Sequence, residues 1–184
     1  MDTLKYIQKK YRLTPTSHPM TDLPQVSRLD LAKLFSELGF TKGAEVGTWT
    51  GVYTNQLCAA NTNLKLIGIY LNSKTSRRDV PSSCKLLHMS SLDAAKKVVD
   101  GSLDFVYLDA DSDLASTIAN ITEWSKKVRK GGIIAGHDFF RYRARTNLHT
   151  RDGVLAYTSS YKIHPWFVIG LAIERVRSWF WVNV

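Results

Sequence analysis

One stretch of the sequence decides the fold, Gly43-Ala44-Glu45-Val46-Gly47-Thr48-Trp49-Thr50-Gly51, and Val52-Tyr53-Thr54-Asn55-Gln56-Leu57 follows it directly. The pattern is that of an apolar strand that ends in a glycine-containing turn and continues as a helix. Glycine lets a ligand approach such a turn more closely than a β-carbon would allow, and the helix start adds unpaired N–H groups. The G-x-G-x-x-G spacing of dinucleotide sites is absent, and Glu45 would repel a diphosphate. The turn therefore predicts a ligand with a cationic or hydrogen-bond-donating part.

Length and composition are those of one globular domain, with 184 residues, 44% of them hydrophobic and 22% charged. Cys58 and Cys84 have no metal-binding or redox spacing, so we expect two reduced thiols in a cytoplasmic protein. No apolar run is long enough to span a membrane, and residues 1–5 lack the pattern of a secretion signal. The formal charge of +9 favours anionic partners, among them nucleic acid, phosphorylated metabolites and acidic sugars.

The chain divides into a short extension and a main domain. Residues 1–24 combine a basic amphipathic stretch with a proline-punctuated loop, and we interpret them as an N-terminal extension that serves as a lid, a substrate contact or a contact in a homodimer. Residues 25–184 form the main domain, which begins with a helix from about Gln25 to Leu38.

Strands and helices alternate through the main domain. The clearest helix covers about Leu114–Val128, and near-continuous apolar strands between helices are typical of a parallel sheet that is covered on both faces. The chain ends in two aromatic strands whose connection is too short for a crossover helix, which predicts an antiparallel hairpin. The sequence thus predicts an α/β sandwich with a mostly parallel, seven-stranded sheet, its strands at Ala44–Val46, Leu64–Leu71, Lys85–Met89, Leu103–Leu108, Gly132–Ala135, Trp166–Gly170 and Ser178–Val182.

Three motifs in this order resemble those of the class I S-adenosylmethionine-dependent methyltransferases, most closely the small single-domain branch that includes sugar and small-metabolite O-methyltransferases. The first motif is Glu45–Gly51. The second, Gly101–Asp111, matches the family's fourth strand and its acidic end, and the third, Val128–Phe139, matches the fifth strand and the acid after it. The resemblance implies a Rossmann-like three-layer sandwich that transfers a methyl group from S-adenosylmethionine.

The resemblance also implies which residues contact the cofactor. Glu45 would meet the amino group of the methionine moiety, directly or through water, and Gly47 and Gly51 would admit the cofactor to the backbone. The other implied contacts are Thr48 and Trp49 at the turn, Ser90 and Ser91 after the third strand, and Asp109.

The end of the second strand departs from the family pattern. The family usually has an acid there that accepts from both ribose hydroxyls, whereas this chain has Tyr70. A phenol makes one hydrogen bond to a diol but is not a two-oxygen acceptor. We therefore expect weaker cofactor binding, by about 1–3 kcal/mol if a ribose contact goes unmade.

Four residues are candidates for the chemistry, Asp109, Asp111, His137 and Asp138, because a hydroxyl acceptor needs a general base or a metal ion to help remove its proton. In metal-dependent relatives a carboxylate after the fourth strand joins an acidic pair after the fifth. Asp109 and Asp138 match two of these positions, and His137 replaces the remaining acid. The set would bind Mg²⁺ or use His137 as a base. The structural alternative is that Asp109 only orients the cofactor while Asp138 caps a turn.

Basic residues follow the fifth strand, where a loop would overhang the acceptor pocket. Their guanidinium groups match phosphate and carboxylate, although a solvated loop explains them equally well. These candidate substrate contacts are Arg141, Arg143 and Arg145.

Three functions are compatible with these patterns. The first is O-methylation of a small sugar-like or acidic acceptor. The second is methylation of nucleic acid, which the positive charge favours, although the N-P-P-aromatic signature of base-modifying enzymes is absent. The third is a catalytically silent methyltransferase fold used for binding, which Tyr70 and the short polar segment Ser73–Ser83 suggest.

Overall fold

The computed structural model describes residues 2–14, 16–71, 79–139, 148–174 and 176–184. Eight strands form one sheet: β1 Met20–Leu23, β2 Lys42–Val46, β3 Lys65–Tyr70, β4 Cys84–His88, β5 Leu103–Leu108, β6 Val128–Gly136, β7 Trp166–Ile169 and β8 Ser178–Val182. The helices are α1 Thr3–Lys10, α2 Arg28–Glu37, α3 Val52–Ala60, α4 Ser91–Lys96, α5 Leu114–Lys127 and α6 Thr150–Ser160. None of them has the length and apolar content that a membrane span requires, within the ranges given above.

The strand order is β1-β7-β8-β6-β5-β2-β3-β4, and β8 alone runs antiparallel to its neighbours in the sheet of these residues. The predicted α/β architecture and the β7–β8 hairpin are confirmed. The predicted number of seven strands is wrong by one, because β1 adds to the edge by parallel pairing with β7, from Met20↔Trp166 to Leu23↔Ile169. Four residues between prolines give too short a pattern to predict this strand.

Helices cover both faces of the sheet, which makes the predicted three layers. One core contains side chains of α1, α2 and α3, including Ile7, Leu31 and Leu57. The other contains side chains of α4, α5 and α6, including Trp124 and Val154.

The aromatic residues of the terminal hairpin belong to both cores. Phe167 and Phe180 stack at 4.8 Å between ring centroids on the α2 side, whereas Trp179 and Trp181 stack at 5.0 Å on the α5 side. Successive side chains of a strand point to opposite faces, so five residues of β8 serve two cores. These rings are buried in the sandwich, as the strand alternation predicts.

The functional edge of the sheet is set by strand direction. β2, β3, β5 and β6 are parallel, so their carboxyl ends lie along one edge. In open parallel sheets this edge is where ligands bind. The residues that follow these four strands include most of the candidates from the sequence.

Candidate functional site

The turn after β2 is held against both neighbouring strands. The N–H groups of Gly47 and Thr48 both donate to the carbonyl of Ile69, at 2.9 and 3.0 Å. Gly47 has φ of +95°, and a Cβ built on it would lie 1.9 Å from the carbonyl oxygen of Asp109. Glycine is therefore required at this position by the close approach of the chain after β5.

The helix that follows the turn begins without a side-chain cap. Gly51 is the N-cap of α3 with φ of +82°, and it has no side chain to satisfy the first N–H groups. Trp49 also has a positive φ, and its side chain is 70% exposed, so the indole does not fill the turn. The start of α3 thus leaves N–H donors at the functional edge.

Thr48 packs inside the turn. It is 2% exposed, and its methyl group lies 2.7 Å from the place where a Cβ on Gly68 would be. Its hydroxyl is buried without a hydrogen-bond partner among the described residues. The side chain therefore stabilises the contact of the turn with β3.

Glu45 is a buried acid directly under this turn. It is 2% exposed, and its Oε2 accepts a hydrogen bond of 2.5 Å from the hydroxyl of Thr54 on α3. Burial raises the pKa of the Glu45 carboxyl to about 8 against the effect of this hydrogen bond, and the charge of Asp109 adds to the increase. At neutral pH the carboxyl is mostly protonated.

The next strand ends in a pair of stacked rings. Tyr70 lies against His88 of β4 with 4.8 Å between ring centroids and 12° between planes. The Nε2 atom of His88 is 2.9 Å from the carbonyl oxygen of Leu71. The position where the family usually has an acid is therefore occupied by an aromatic pair.

The two serines after β4 both have local partners. Ser90 is the N-cap of α4, with its hydroxyl bonded to Asp93. The hydroxyl of Ser91 donates to Oδ1 of Asn120 at 2.5 Å and accepts from Nε1 of Trp124 at 2.8 Å. Both side chains fasten α4, so their polar atoms already have bonds within the protein.

Asp109, His137 and Asp138 come together after β5 and β6. The Nδ1 atom of His137 is 3.2 Å from Oδ1 of Asp138 and 3.5 Å from Oδ1 of Asp109. One ligand atom of each residue lies within 4.8 Å of the other two, and all three side chains are partly buried. The sequence predicted these three as a group, and the structure brings them together.

The backbone around this group is fixed by several hydrogen bonds. The N–H of Asp109 donates to Val46, the N–H of His137 donates to Leu108, and the carbonyl of His137 accepts from the Trp179 indole at 3.0 Å. Asp138 has φ of +59°, an uncommon conformation for a residue with a side chain. Register and local turns therefore both aim the three side chains at one point.

The electrostatics of the group favour an imidazolium between two carboxylates. Burial by itself lowers the pKa of His137, but hydrogen bonds and charges from Asp109 and Asp138 outweigh it and raise the pKa to about 9. Burial likewise opposes ionisation of Asp138, yet His137 and the hydroxyl of Ser112 hold its pKa below the usual value. At neutral pH His137 carries a proton and is a poor base.

A small pocket opens beside this group. It lies between the ends of β5 and β6 and the helices α5 and α6. Its other lining residues give it a mixed character, with Thr117, Asn120 and Thr150 polar and Leu108, Ile121 and Trp179 apolar. Thr117 is 4% exposed, and its Oγ1 is buried without a hydrogen-bond partner in the described part of the chain.

Sequence reasoning missed several residues of this site. Thr54, Ser112 and Thr117 occur singly in helix or loop sequence, and nothing in their spacing distinguishes them from other hydroxyl residues. Only the periodicity of α5, which places Thr117 and Ile121 on one face, offered a signal. The candidate substrate residues Arg141, Arg143 and Arg145 lie outside the described residues.

Comparisons with known proteins agree with this geometry. A family model described as a methyltransferase domain matches residues 44–139, just over half of the chain. No curated protein matches the sequence significantly.

Solved structures share the fold at low sequence identity. An O-methyltransferase from Bacillus cereus in complex with SAH is 16% identical, with a TM-score of 0.64 over 99% of this chain and 91% of the other. TomG, an O-methyltransferase of Streptomyces achromogenes involved in tomaymycin synthesis and solved with SAM, is 14% identical, with a TM-score of 0.63 over 100% and 91%. Cofactor-bound Rv0187 from MTB is 18% identical, with a TM-score of 0.65 over 88% and 84%.

The strand order, the glycine turn after β2 and the acidic ends of β5 and β6 are thus found in a sequence whose central half matches one family model. The chain belongs to the class I S-adenosylmethionine-dependent methyltransferase family.

Proposed function

We propose that the protein is an S-adenosylmethionine-dependent O-methyltransferase whose acceptor is a small molecule with a negative charge. One observation carries the proposal: Asp109 contacts both the glycine turn after β2 and the side chain of His137. Its backbone lies against Gly47 in the glycine turn, and its carboxylate lies 3.5 Å from His137. We call Asp109, His137 and Asp138 the acid–histidine group. A cofactor at the turn and an acceptor at this group would therefore be neighbours.

The residues at the turn fit the cofactor. Bound S-adenosylmethionine supplies an electrophilic methyl group on a positively charged sulfur. The uncapped start of α3 offers N–H donors for a carboxylate, and Glu45 offers the opposite charge for an ammonium group once it ionises. The solved complexes of the Bacillus cereus enzyme with SAH and of TomG with SAM support the same cofactor here.

Other cofactor contacts follow from where the side chains point. Tyr70 would offer the ribose a single phenolic group beside the ring of His88. Ser90 and Ser91 would act indirectly, because their hydroxyls bond to Asp93, Asn120 and Trp124. Thr48 would support the turn from inside, and Trp49 would cover it from outside.

The acid–histidine group would position the acceptor hydroxyl for in-line attack, and positioning accounts for much of the catalysis in such a displacement. At neutral pH His137 is protonated, so it cannot take the hydroxyl proton itself. A divalent cation, when bound by the same three groups, supplies a positive charge that lowers the pKa of a coordinated hydroxyl. Asp109 and Asp138 would then be ligands, and His137 would bind as a neutral imidazole.

The charge of the acceptor is inferred from the sequence that follows β3 and β6. Residues 72–78 follow β3, and residues 140–147 follow β6. Together they contain six of the chain's 25 basic residues and no acidic residue. This excess of one sign in the sequence favours ligands of the other sign, and Arg141, Arg143 and Arg145 are the proposed contacts for a carboxylate or phosphate.

The test separates cofactor binding from transfer. Calorimetry with S-adenosylhomocysteine should detect binding, and radiolabelled S-adenosylmethionine should methylate hydroxylated acceptors that bear a carboxylate or phosphate in preference to matched neutral ones. Equal labelling of neutral acceptors would refute the negative charge. Binding without transfer to any acceptor would favour a silent binding protein instead, and no binding of either cofactor form would refute the proposal.

A further inference from the structure

We propose that Asp109, His137 and Asp138 bind a divalent first-row transition metal of the Mn²⁺ or Fe²⁺ class in preference to Mg²⁺. The inference deepens the proposed function by naming the ion. It rests on that function for the role of the ion in methyl transfer, whereas binding of the ion is a separate property that can be measured alone.

The distances within the group match those between neighbouring ligands of one metal ion. Two ligand atoms that bind at right angles, each about 2.1 Å from a metal, lie about 3.0 Å apart. Nδ1 of His137 is 3.2 Å from Oδ1 of Asp138 and 3.5 Å from Oδ1 of Asp109. One ligand atom of each residue lies within 4.8 Å of the other two, so the three atoms are close enough to surround one ion.

The ligand types select the metal. Mg²⁺ is a hard cation that is bound almost entirely by oxygen atoms and holds its water tightly. An imidazole nitrogen suits the later divalent metals, while two carboxylates keep the site suitable for Mn²⁺ and Fe²⁺. His137 therefore makes Mg²⁺ a poorer match for the site. The two carboxylates of Asp109 and Asp138 make it equally unsuited to metals that prefer thiolate ligands.

The pocket beside the group provides an independent observation. Thr117 lines the same pocket as the three residues, is 4% exposed, and has a buried Oγ1 with no hydrogen-bond partner among the described residues. Buried hydroxyls normally have a partner. A metal with three protein ligands retains water in its open positions, and the pocket that Thr117 lines offers space for that water beside the group.

The proposed ligands are also held in place from behind. Ser112 donates to Oδ2 of Asp138 at 3.1 Å, which leaves Oδ1 directed at His137. The indole of Trp179 donates to the carbonyl of His137 at 3.0 Å. Such contacts orient metal ligands and raise the affinity of a site.

The test uses Mn²⁺ with the full chain and no cofactor. Titration followed by electron paramagnetic resonance should show one bound Mn²⁺, and pulsed measurements should show coupling to one imidazole nitrogen. Mg²⁺ should displace this Mn²⁺ only at an excess of more than about 100-fold. Absence of bound Mn²⁺, absence of nitrogen coupling, or competition by Mg²⁺ at equal concentration would each overturn the inference.

Variants then assign the nitrogen. His137→Asp should retain metal, lose the nitrogen coupling, and reduce the preference for Mn²⁺ over Mg²⁺ at least about tenfold. His149→Asn is the matched control, because His149 also lies 3.2 Å from a carboxylate, that of Asp152, but lies outside the three-residue group. An unchanged preference in His137→Asp, or a loss of coupling in His149→Asn, would refute the assignment.

The measurements on the wild-type chain stand even if a variant does not fold. Mn²⁺ binding with no affinity for S-adenosylhomocysteine would refute the proposed function alone. Binding of S-adenosylhomocysteine with no affinity for Mn²⁺ would refute only the metal.

Discussion

Replacement of Glu45 by glutamine should change how the stability of the protein depends on pH. The carboxyl is 2% exposed, and burial raises its pKa from 4.5 to about 8. Between these values the folded state holds a proton that the unfolded state has released. The folded state binds more protons, so the free energy of unfolding falls as pH rises, and the loss is complete above the folded pKa. Glutamine does not titrate and avoids this loss.

The magnitude follows from the difference in pKa. Each pH unit between the two values changes the free energy of unfolding by about 1.4 kcal/mol. From pH 5.5 to 8.5 the wild type should therefore lose about 3 kcal/mol relative to Glu45→Gln. For a domain of this size that corresponds to a relative change in Tm of about 6–12 °C.

The assay is thermal or urea denaturation of both proteins at pH 5.5, 7 and 8.5. At pH 5.5 the two should be similar, because the glutamine oxygen can still accept from Thr54, and the variant should become progressively more stable above that pH. Glu123→Gln serves as the control, since its carboxylate is exposed and pairs with Lys126 on the surface. Parallel stability curves for wild type and Glu45→Gln would refute the argument that Glu45 is buried in its neutral form.

Three further predictions concern the same edge and the sheet beneath it. Gly47→Ala should destabilise the fold by at least about 4 kcal/mol, since its Cβ would meet the Asp109 carbonyl. Gly101 also has a positive φ, +66°, but nothing lies within 4 Å of a Cβ built on it, so Gly101→Ala should lower the free energy of unfolding by only about 1–2 kcal/mol. Equal losses of stability for the two variants in urea denaturation would contradict the clash at Gly47. Binding of S-adenosylhomocysteine at pH 7 should release protons, because the ligand's ammonium group favours the ionised form of Glu45. The buffer takes up these protons, so the calorimetric binding enthalpy should differ between phosphate and Tris buffers in the wild type but not in Glu45→Gln. Tyr107→Phe should lower the free energy of unfolding by about 1–3 kcal/mol, because the buried Ser178 hydroxyl, 2.9 Å from the phenol, loses its partner. Adding Ser178→Ala to this variant should lower the stability little further. Full additivity of the two changes would show that the two hydroxyls do not interact.

Most of the fold could be predicted because its signals are local. Apolar runs and helical periodicity placed β5 at its observed bounds and α5 to within one residue, since the predicted end at Val128 is the first residue of β6. The hairpin was predictable because the connection between its strands is short. β1 was not predictable, since its pairing with β7 joins residues far apart in the chain.

The candidate site was predictable as a set of strand ends but not as a set of contacts. Parallel strands place Asp109, His137 and Asp138 at one edge, which residue order alone indicates. The protonation state of each side chain, by contrast, depends on the groups packed around it. The sequence allows His137 to be a base, whereas its two carboxylate neighbours raise its pKa to about 9 and make it a cation at neutral pH.

Gly47 also shows the difference between what the sequence indicates and what the tertiary structure adds. The sequence indicates that the turn needs a glycine, and it favours the close approach of a ligand as the reason. The structure shows that the carbonyl of Asp109 already takes the space that a β-carbon would need.

The order of residues by itself determined the alternation of strands and helices, the family, and the edge at which the polar residues gather, because hydrophobic period and chain direction are properties of short segments. The tertiary structure alone decided the protonation of Glu45 and His137, the eighth strand, and the burial of a Thr117 hydroxyl that has no partner in the described part of the chain. Burial and distance between charges set these features, and both quantities exist only when segments remote in the chain are packed together.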